Sequence, residues 1–279
     1  MEYDQLQVER RELDGIVMTD HPGWVEAEPA RFDRVVSNAS GLSGRLVASA
    51  GSTWIEPVHE SNVVSRSYAP VAITISITSE FNERLLRYRV ARWRNPSLWD
   101  AIALSIVRQV IRASHARKLY RAGATAWGEE ILPQRCTFPT PEKILDLDDE
   151  DFRSIGLAFQ MPKLRRAAAA FIAEHEEWES LPAPMLYDAL IKVPGIGPWS
   201  ASVAVVDYTN DFSFYPFDDL AVRACARKLW PELNFSKSQA IFRDEWLAAC
   251  DDQVATLTAL TLAIGAHLDS QQLVGDSRS

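Results

Sequence analysis

Two periodicities divide this chain. Through about residue 82 the apolar positions come in short runs, at 34–36, 44–48, 53–58 and, in strict alternation, at 71–78 (Val-Ala-Ile-Thr-Ile-Ser-Ile-Thr). Alternation sends successive side chains to opposite faces of an extended chain, so these runs predict strands of a small antiparallel sheet. From Glu83 onward apolar residues recur three and four positions apart, the spacing of one helix face, with Pro96, Pro133, Pro139, Pro141, Pro182, Pro184 and Pro194 as punctuation. The pattern predicts an α+β protein: a β-rich domain over 1–82, followed by a mostly helical domain over 83–279.

Within the helical part, one helix is expected from Ser97 or Trp99 to about Tyr120. Ile102, Ile106 and Val110, with Ala103, Val107 and Ile111, form its apolar stripe, and Arg108, Arg112, Arg117 and Lys118 lie largely off it. An alanine-rich face over 163–174 suits close helix packing. Residues 185–193 carry Met185, Leu186, Ala189, Leu190 and Val193 at helical spacing, and the last core helix is read over 255–267 with a frayed tail after Leu268.

The segment Val193-Pro194-Gly195-Ile196-Gly197-Pro198-Trp199-Ser200-Ala201 adds chemistry to this pattern. Pro194 and Gly195 stop one helix, because proline cannot continue the ladder and glycine accepts left-handed angles. Pro198 suits the first position of the next helix, over 199–206. Gly195 and Gly197 keep no side chain between their backbone and an anion, and the free amides of a turn and helix start form an anion site. An ordinary helix connection reads the same way. Further on, Phe212, Phe214, Tyr215 and Pro216 predict a partly buried extended segment, and Asp218 or Asp219 caps a helix over 220–230. Two carboxylates in tandem exceed what a cap requires, so one can cap while the other faces a cleft.

Gly-Ile-Gly-Pro-Trp-Ser-Ala followed at this distance by Asp-Asp-Leu-Ala-Val-Arg resembles the helix-hairpin-helix DNA glycosylase superfamily, and within it bacterial 3-methyladenine DNA glycosylase II. The match is specific over 185–230, looser but collinear through 95–99, 105–110, 137–141 and 163–167, and weak outside 83–231. The resemblance implies a monofunctional N-glycosylase of base excision repair that flips and excises damaged, alkylated bases from double-stranded DNA. A non-catalytic relative that binds damaged or distorted DNA is the alternative. It assigns Asp219 as the catalytic carboxylate and Asp218 to a structural place beside it. Val193, Gly195, Ile196, Gly197 and Ser200 become the phosphate-binding hairpin. Gln109 and Val110 fall where the family places the wedge that fills the gap left by a flipped base, with Arg108 and Arg112 as flanking DNA contacts; Val110 as plain core, with Gln109 at the edge of the apolar stripe, is the other reading. Breaking the N-glycosidic bond develops positive charge on the sugar, which a desolvated carboxylate stabilises while it orients or deprotonates water.

Strand-cutting relatives carry a lysine nucleophile at the position of Trp199. Tryptophan forms no Schiff base, so no lyase activity is expected, and Trp199 becomes a pocket wall able to stack on an electron-poor base; packing between the two helices is its other reading. Two departures concern the pocket: Val203 replaces its second aromatic, and the Trp-x-Pro stretch before the last core helix is missing at 250–254, leaving Trp246 or Phe242 as substitutes.

Charge qualifies DNA binding. The formal net charge is −9, with an isoelectric point near 5.1. It is segregated: ten arginines and lysines face two acids over 83–121, while 1–82 holds six arginines against twelve acids. That segregation is compatible with one DNA-facing side or with a solvated basic helix. Cys136, Cys225 and Cys250 are too few for a four-cysteine iron–sulfur loop and read as core thiols. No metal or cofactor is expected beyond a possible monovalent cation on hairpin carbonyls. The opening residues lack a signal-peptide core, and no run approaches the ~18 apolar residues of a membrane span. The expectation is a cytoplasmic, nucleoid-associated monomer.

Overall fold

The computed structural model describes residues 11–12, 16–37, 43–49, 52–58, 71–73 and 90–276, with backbone alone for 11–12, 57, 71–73 and 266–276. Six strands open the chain: β1 (Arg11–Glu12), β2 (Ile16–Val17), β3 (Val25–Glu28), β4 (Arg31–Ser37), β5 (Ser43–Ser49) and β6 (Ser52–Pro57). Five of them form an antiparallel sheet in the order β1-β6-β5-β4-β3, with Val35 opposite Arg45 and Val47 opposite Trp54. Its packed face carries Val36, Leu46 and Ala48 against Trp24 and Trp93. The short apolar runs at 34–36, 44–48 and 53–58 thus become β4, β5 and β6.

A second sheet departs from the expected pattern. β7 (Val71–Ile73) and β8 (Val90–Arg92) join β2 in the order β2-β8-β7, and the β2–β8 pair is parallel. β8 lies beyond residue 83, where the spacing reads as helical. Val90, Ala91 and Arg92 are all buried, so the strand shows no alternation to read. The rest of the alternating run, 74–78, lies outside the described residues.

Helices α1 (Leu98–Val107) and α2 (Ala113–Trp127) stand where a single helix is expected. They are separated by 108–112, in which Val110 takes a positive φ of 62°. Neither glycine nor proline marks the break, and Ile111 still packs on the core beyond it, so the apolar stripe runs through unbroken. A small hairpin follows, β9 (Glu130–Leu132) and β10 (Arg135–Cys136), then α3 (Pro141–Asp146), α4 (Asp149–Ser154), α5 (Met161–Ser180), α6 (Ala183–Leu190) and α7 (Pro198–Thr209). Ser97, Thr140 and Asp148 accept amide hydrogens as side-chain caps of α1, α3 and α4. Residues 212–214 form a 3₁₀ turn where an extended segment is expected, because the Asp211 carboxylate accepts from the Ser213 amide. The chain ends in α8 (Leu220–Leu229), α9 (Gln239–Cys250) and α10 (Val254–Asp276), which continues past Leu268.

Besides the cluster on the first sheet, the described residues form two further apolar clusters. One gathers Ile102 and Ile106 of α1 with Leu164, Ala167 and Ala168 of α5 and Ala204 of α7; the alanine face of α5 is what lets these helices approach. The other gathers Val222, Trp230, Phe242, Trp246 and Leu260. The helical stretch Gln239–Gly265 has a mean hydropathy of 1.3 and the length to cross a membrane by composition, unlike the expectation of no such run, but half of it is buried against this second cluster.

A buried polar network joins the strands to the helices. Arg92 reaches Asp20 (2.9 Å) and Asp207 of α7 (2.6 Å). Asn95 bridges Asp207 (3.0 Å) and Asp100 of α1 (2.9 Å). Asp100 meets Arg34 of β4 (2.9 Å), His21 (3.1 Å) and the Tyr120 hydroxyl (2.7 Å). Burial alone would raise these carboxyls, but Arg92 holds Asp20 at about 2, and His21 with Arg34 holds Asp100 well below the usual range. Burial and the Arg34 charge lower His21, whose Nδ1 accepts from the Gly23 amide.

Candidate active site and nucleic-acid interface

The hairpin between α6 and α7 forms as its residues dictate. Ile191 closes α6, Gly195 takes φ 104°, and Pro198 opens α7 behind Gly197. Val193 and Ile196 turn into the core, anchoring the loop and leaving Gly195 and Gly197 exposed. Among the described residues the amides of Gly195 and Gly197 donate no hydrogen bond. The two glycines differ in what surrounds them. A Cβ at Gly195 would stand 2.9 Å from Lys163 Cγ, whereas no protein atom lies within 4 Å of one at Gly197.

The loop is bolted down from behind. Gln109 donates through Nε2 to the Gly195 carbonyl (3.1 Å) and to Ser200 Oγ (2.6 Å), and its Oε1 accepts from Lys163 Nζ (2.5 Å). Arg166 Nε donates to the Pro194 carbonyl (2.9 Å). Gln109 and Ser200 are therefore buried fasteners of the hairpin, which corrects the expectation of Gln109 as a wedge and of Ser200 as a surface contact. The amide had no visible partner in the sequence, because its three acceptors and donors lie 54 to 91 residues away.

Val110, next along the chain, is 89% exposed with its backbone in the left-handed region. A β-branched residue pays about 1–3 kcal/mol for that conformation, which persists only where its surroundings enforce it. Here the locked Gln109 on one side and the core-packed Ile111 on the other hold Val110 outward. Arg112 is exposed at the start of α2. Arg108 instead turns inward and donates to the Asp20 carbonyl (3.0 Å), which corrects its expected place on the DNA side. The basic excess over 83–121 is spent internally in the same way at Arg92 and Arg121, whose guanidinium donates to the carbonyls of Pro22 and Trp24. Arg84, Arg87 and Arg89 lie outside the described residues.

Asp219 sits at the N-cap of α8 in extended geometry, yet its side chain makes no capping hydrogen bond. Asp218 and Asp219 are both half-buried, and neither carboxylate has a hydrogen-bond or ion-pair partner among the described residues. The expected cap is thus not made by either carboxylate. Tyr215, four residues before Asp219, has its phenol raised by burial and then by the Asp219 charge. Sequence reasoning placed Tyr215 only in a buried segment; its spacing from the acid was the available signal. Trp199 is half-buried at the second position of α7, and Val203, one turn on, is buried. Phe242 and Trp246 are fully buried in an aromatic stack with Phe235, which removes them as pocket walls. A cavity of about 370 Å³ lies elsewhere, between β4 and helices α1, α3 and α5, and none of these residues lines it.

No family model matches the chain. In sequence it is similar to DNA-3-methyladenine glycosylase 1 of Schizosaccharomyces pombe, 31% identical over 122 residues, covering 41% of this chain and 54% of that protein. It is also similar to a DNA-3-methyladenine glycosylase of Bacillus subtilis, 27% identical over 134 residues, covering 46% and 44%. The chain spans about half the length of the curated relatives it matches. In structure it is similar to a 3-methyladenine DNA-glycosylase from Archaeoglobus fulgidus, with TM-score 0.64 and 19% identity over 92% of this chain and 98% of that one. A Clostridium acetobutylicum 8-oxoguanine glycosylase/lyase in complex with double-stranded DNA gives TM-score 0.62 and 15% identity over 90% of each chain. The fold is that of the helix-hairpin-helix glycosylases, α+β as the periodicity predicts.

Proposed function

We propose that the protein is a monofunctional DNA N-glycosylase that everts a damaged, alkylated base from duplex DNA and hydrolyses its N-glycosidic bond, with Asp219 as the catalytic carboxylate. The observation that carries this reading is the half-buried, unpartnered Asp219 carboxylate at the mouth of α8. The names of the sequence relatives supply the substrate class.

In this mechanism the amides of Gly195 and Gly197 and the start of α7 grip a phosphate of the strand, where the helix dipole adds to the attraction. Val110 enters the gap left by the everted nucleotide and offsets part of the lost stacking, a cost of a few kcal/mol. Trp199 and Tyr215 flank the base. As the bond to the base lengthens, Asp219 stabilises the positive charge on the sugar and takes a proton from the attacking water, while the bonding electrons leave with the base. An alkylated base departs readily because it already carries positive charge. The position of the strand-cutting lysine holds Trp199, so the reading gives an abasic site with the backbone intact. Hydrolysis consumes water alone, and no cofactor is assigned. The 1–82 and 83–279 division remains our reading of the domains, and Asp218 is read as structural.

The test uses methylated duplex DNA, and in parallel duplexes bearing uracil, hypoxanthine or ethenoadenine, each treated with alkali after incubation. Strand breaks that require alkali, on at least one substrate, are expected. Binding without breaks on every substrate would make the protein a non-catalytic reader of distorted DNA, and breaks without alkali would show a lyase.

A further inference from the structure

We propose that α5 supplies the side-chain half of the hairpin's strand grip, with Lys163 and Arg166 binding DNA phosphate beside the hairpin amides. The proposal shares with the reading above only its ligand, duplex DNA, and requires no base removal.

Both side chains converge on the turn from beneath. Lys163 passes against Gly195, and its ammonium ends 2.5 Å from Gln109 Oε1 and 4.5 Å from the ring of exposed Phe159. Arg166 holds the Pro194 carbonyl through Nε, and its NH2 lies 3.5 Å from where a Gly195 Cβ would stand. Their visible partners are neutral: an amide oxygen, a carbonyl and an aromatic face. Among the described residues no carboxylate lies within 4.0 Å of either cation.

Their neighbour provides the contrast. Arg165, between them on the same helix, is paired with Asp149 at 2.7 Å and with the Leu147 carbonyl at 2.6 Å. In a chain of net charge −9, acids are plentiful enough to pair surface cations. Two positive charges left uncompensated, next to backbone amides that donate to nothing, make a local concentration of unmet donors and charge. A phosphate matches it: its oxygens accept from the amides while its charge answers the ammonium and guanidinium.

The measurement is the affinity of the full chain for an undamaged, fluorescein-labelled duplex by anisotropy across a salt series. Each phosphate contact contributes about 0.9 to the slope of log K against log salt. Lys163→Met and Arg166→Met should each flatten the slope by about 0.9, while Lys163→Arg restores it and Arg165→Met leaves it as in the wild type. A fall in affinity with the slope unchanged would reduce Lys163 and Arg166 to props of the hairpin and overturn the proposal. An equal flattening by Arg165→Met would overturn it too, as unspecific surface charge. Arg166 is exposed, so its variant reads the outcome even if Lys163→Met fails to fold. Base release measured on the same preparations separates the two claims: wild type that cuts while both variants keep the slope loses only this one, and variants that flatten it in a protein that never cuts lose only the other.

Discussion

Asp207 and Asp219 sit twelve residues apart on consecutive helices and have opposite fates. Asp207 is buried, bonded to Arg92 and Asn95, and held below its usual range because Arg92 outweighs the burial that would raise it. Asp219 is half-buried at a helix N-terminus, its carboxylate accepts nothing from that helix, and among the described residues it meets no cation. A carboxylate deep in a fold must be fully committed, since an unpaired buried charge costs several kcal/mol. One intended for chemistry must keep its charge unspent, so it sits at an edge where water solvates it until a substrate takes the water's place. A similar division runs through the cations: Arg34 and Arg92 are committed to carboxylates, whereas Lys163 and Arg166, which fasten the hairpin through neutral acceptors, meet no carboxylate among the described residues.

The sharpest way to break this comparison is Asp219→Asn. Single-turnover base release should fall on the order of 10⁴-fold, with affinity for the methylated duplex and urea stability unchanged. Release within tenfold of the wild type would show that the acid lies elsewhere. Arg92→Met tests the other side. It strands Asp20 and Asp207 without their cation and should cost about 3–5 kcal/mol of stability in urea denaturation; a loss under ~1 kcal/mol would mean the network is not committed as described. Val110→Gly comes next. It releases the left-handed strain at a site with almost nothing buried, so stability should rise by ~1 kcal/mol, while the 2-aminopurine signal of an everted base drops roughly tenfold. A protein less stable after this change would show that Val110 packs instead of probing.

Acidification should give the gentlest slope. His21 is lowered in the fold, so the unfolded chain binds the proton first and stability declines as pH falls below about 6.5. Asp20, at about 2, adds stability that is complete above the unfolded carboxyl value near ~3.9 and is lost as pH falls through 2. Asp100 and Asp207 shift in the same direction. The urea midpoint should therefore hold above pH 7 and fall in two stages; a midpoint flat from ~6.5 to ~5 would mean His21 is charged in the fold.

What could be read in the sequence was whatever local chemistry enforces. Pro194, Gly195 and Pro198 bound the hairpin with little help from the rest of the chain, and short apolar runs marked β4, β5 and β6, where consecutive residues such as Val35 and Val36 or Leu46, Val47 and Ala48 are buried on both faces. Features set by distant partners were not legible. The break after α1 has no glycine or proline and is enforced by Gln109 reaching α5 and α7. β8 is buried on both faces and so lacks alternation. Arginines compatible with a DNA-facing side or a solvated helix face proved at Arg92, Arg108 and Arg121 to satisfy carbonyls and carboxylates inside the protein. Trp246 and Phe242 looked available as pocket walls only because composition says nothing about which aromatic the core has already taken.

Gly197 leads to a last point. Its backbone angles suit any residue, and the protein offers no obstacle to a side chain there. Folding therefore places no demand for glycine at this position, whereas at Gly195 it places two, from φ and from Lys163. Whatever penalty a library of substitutions reveals at Gly197 must be imposed from outside the molecule, by the surface that approaches it, which on the proposed function makes this single position a gauge of how closely nucleic acid comes to the main chain.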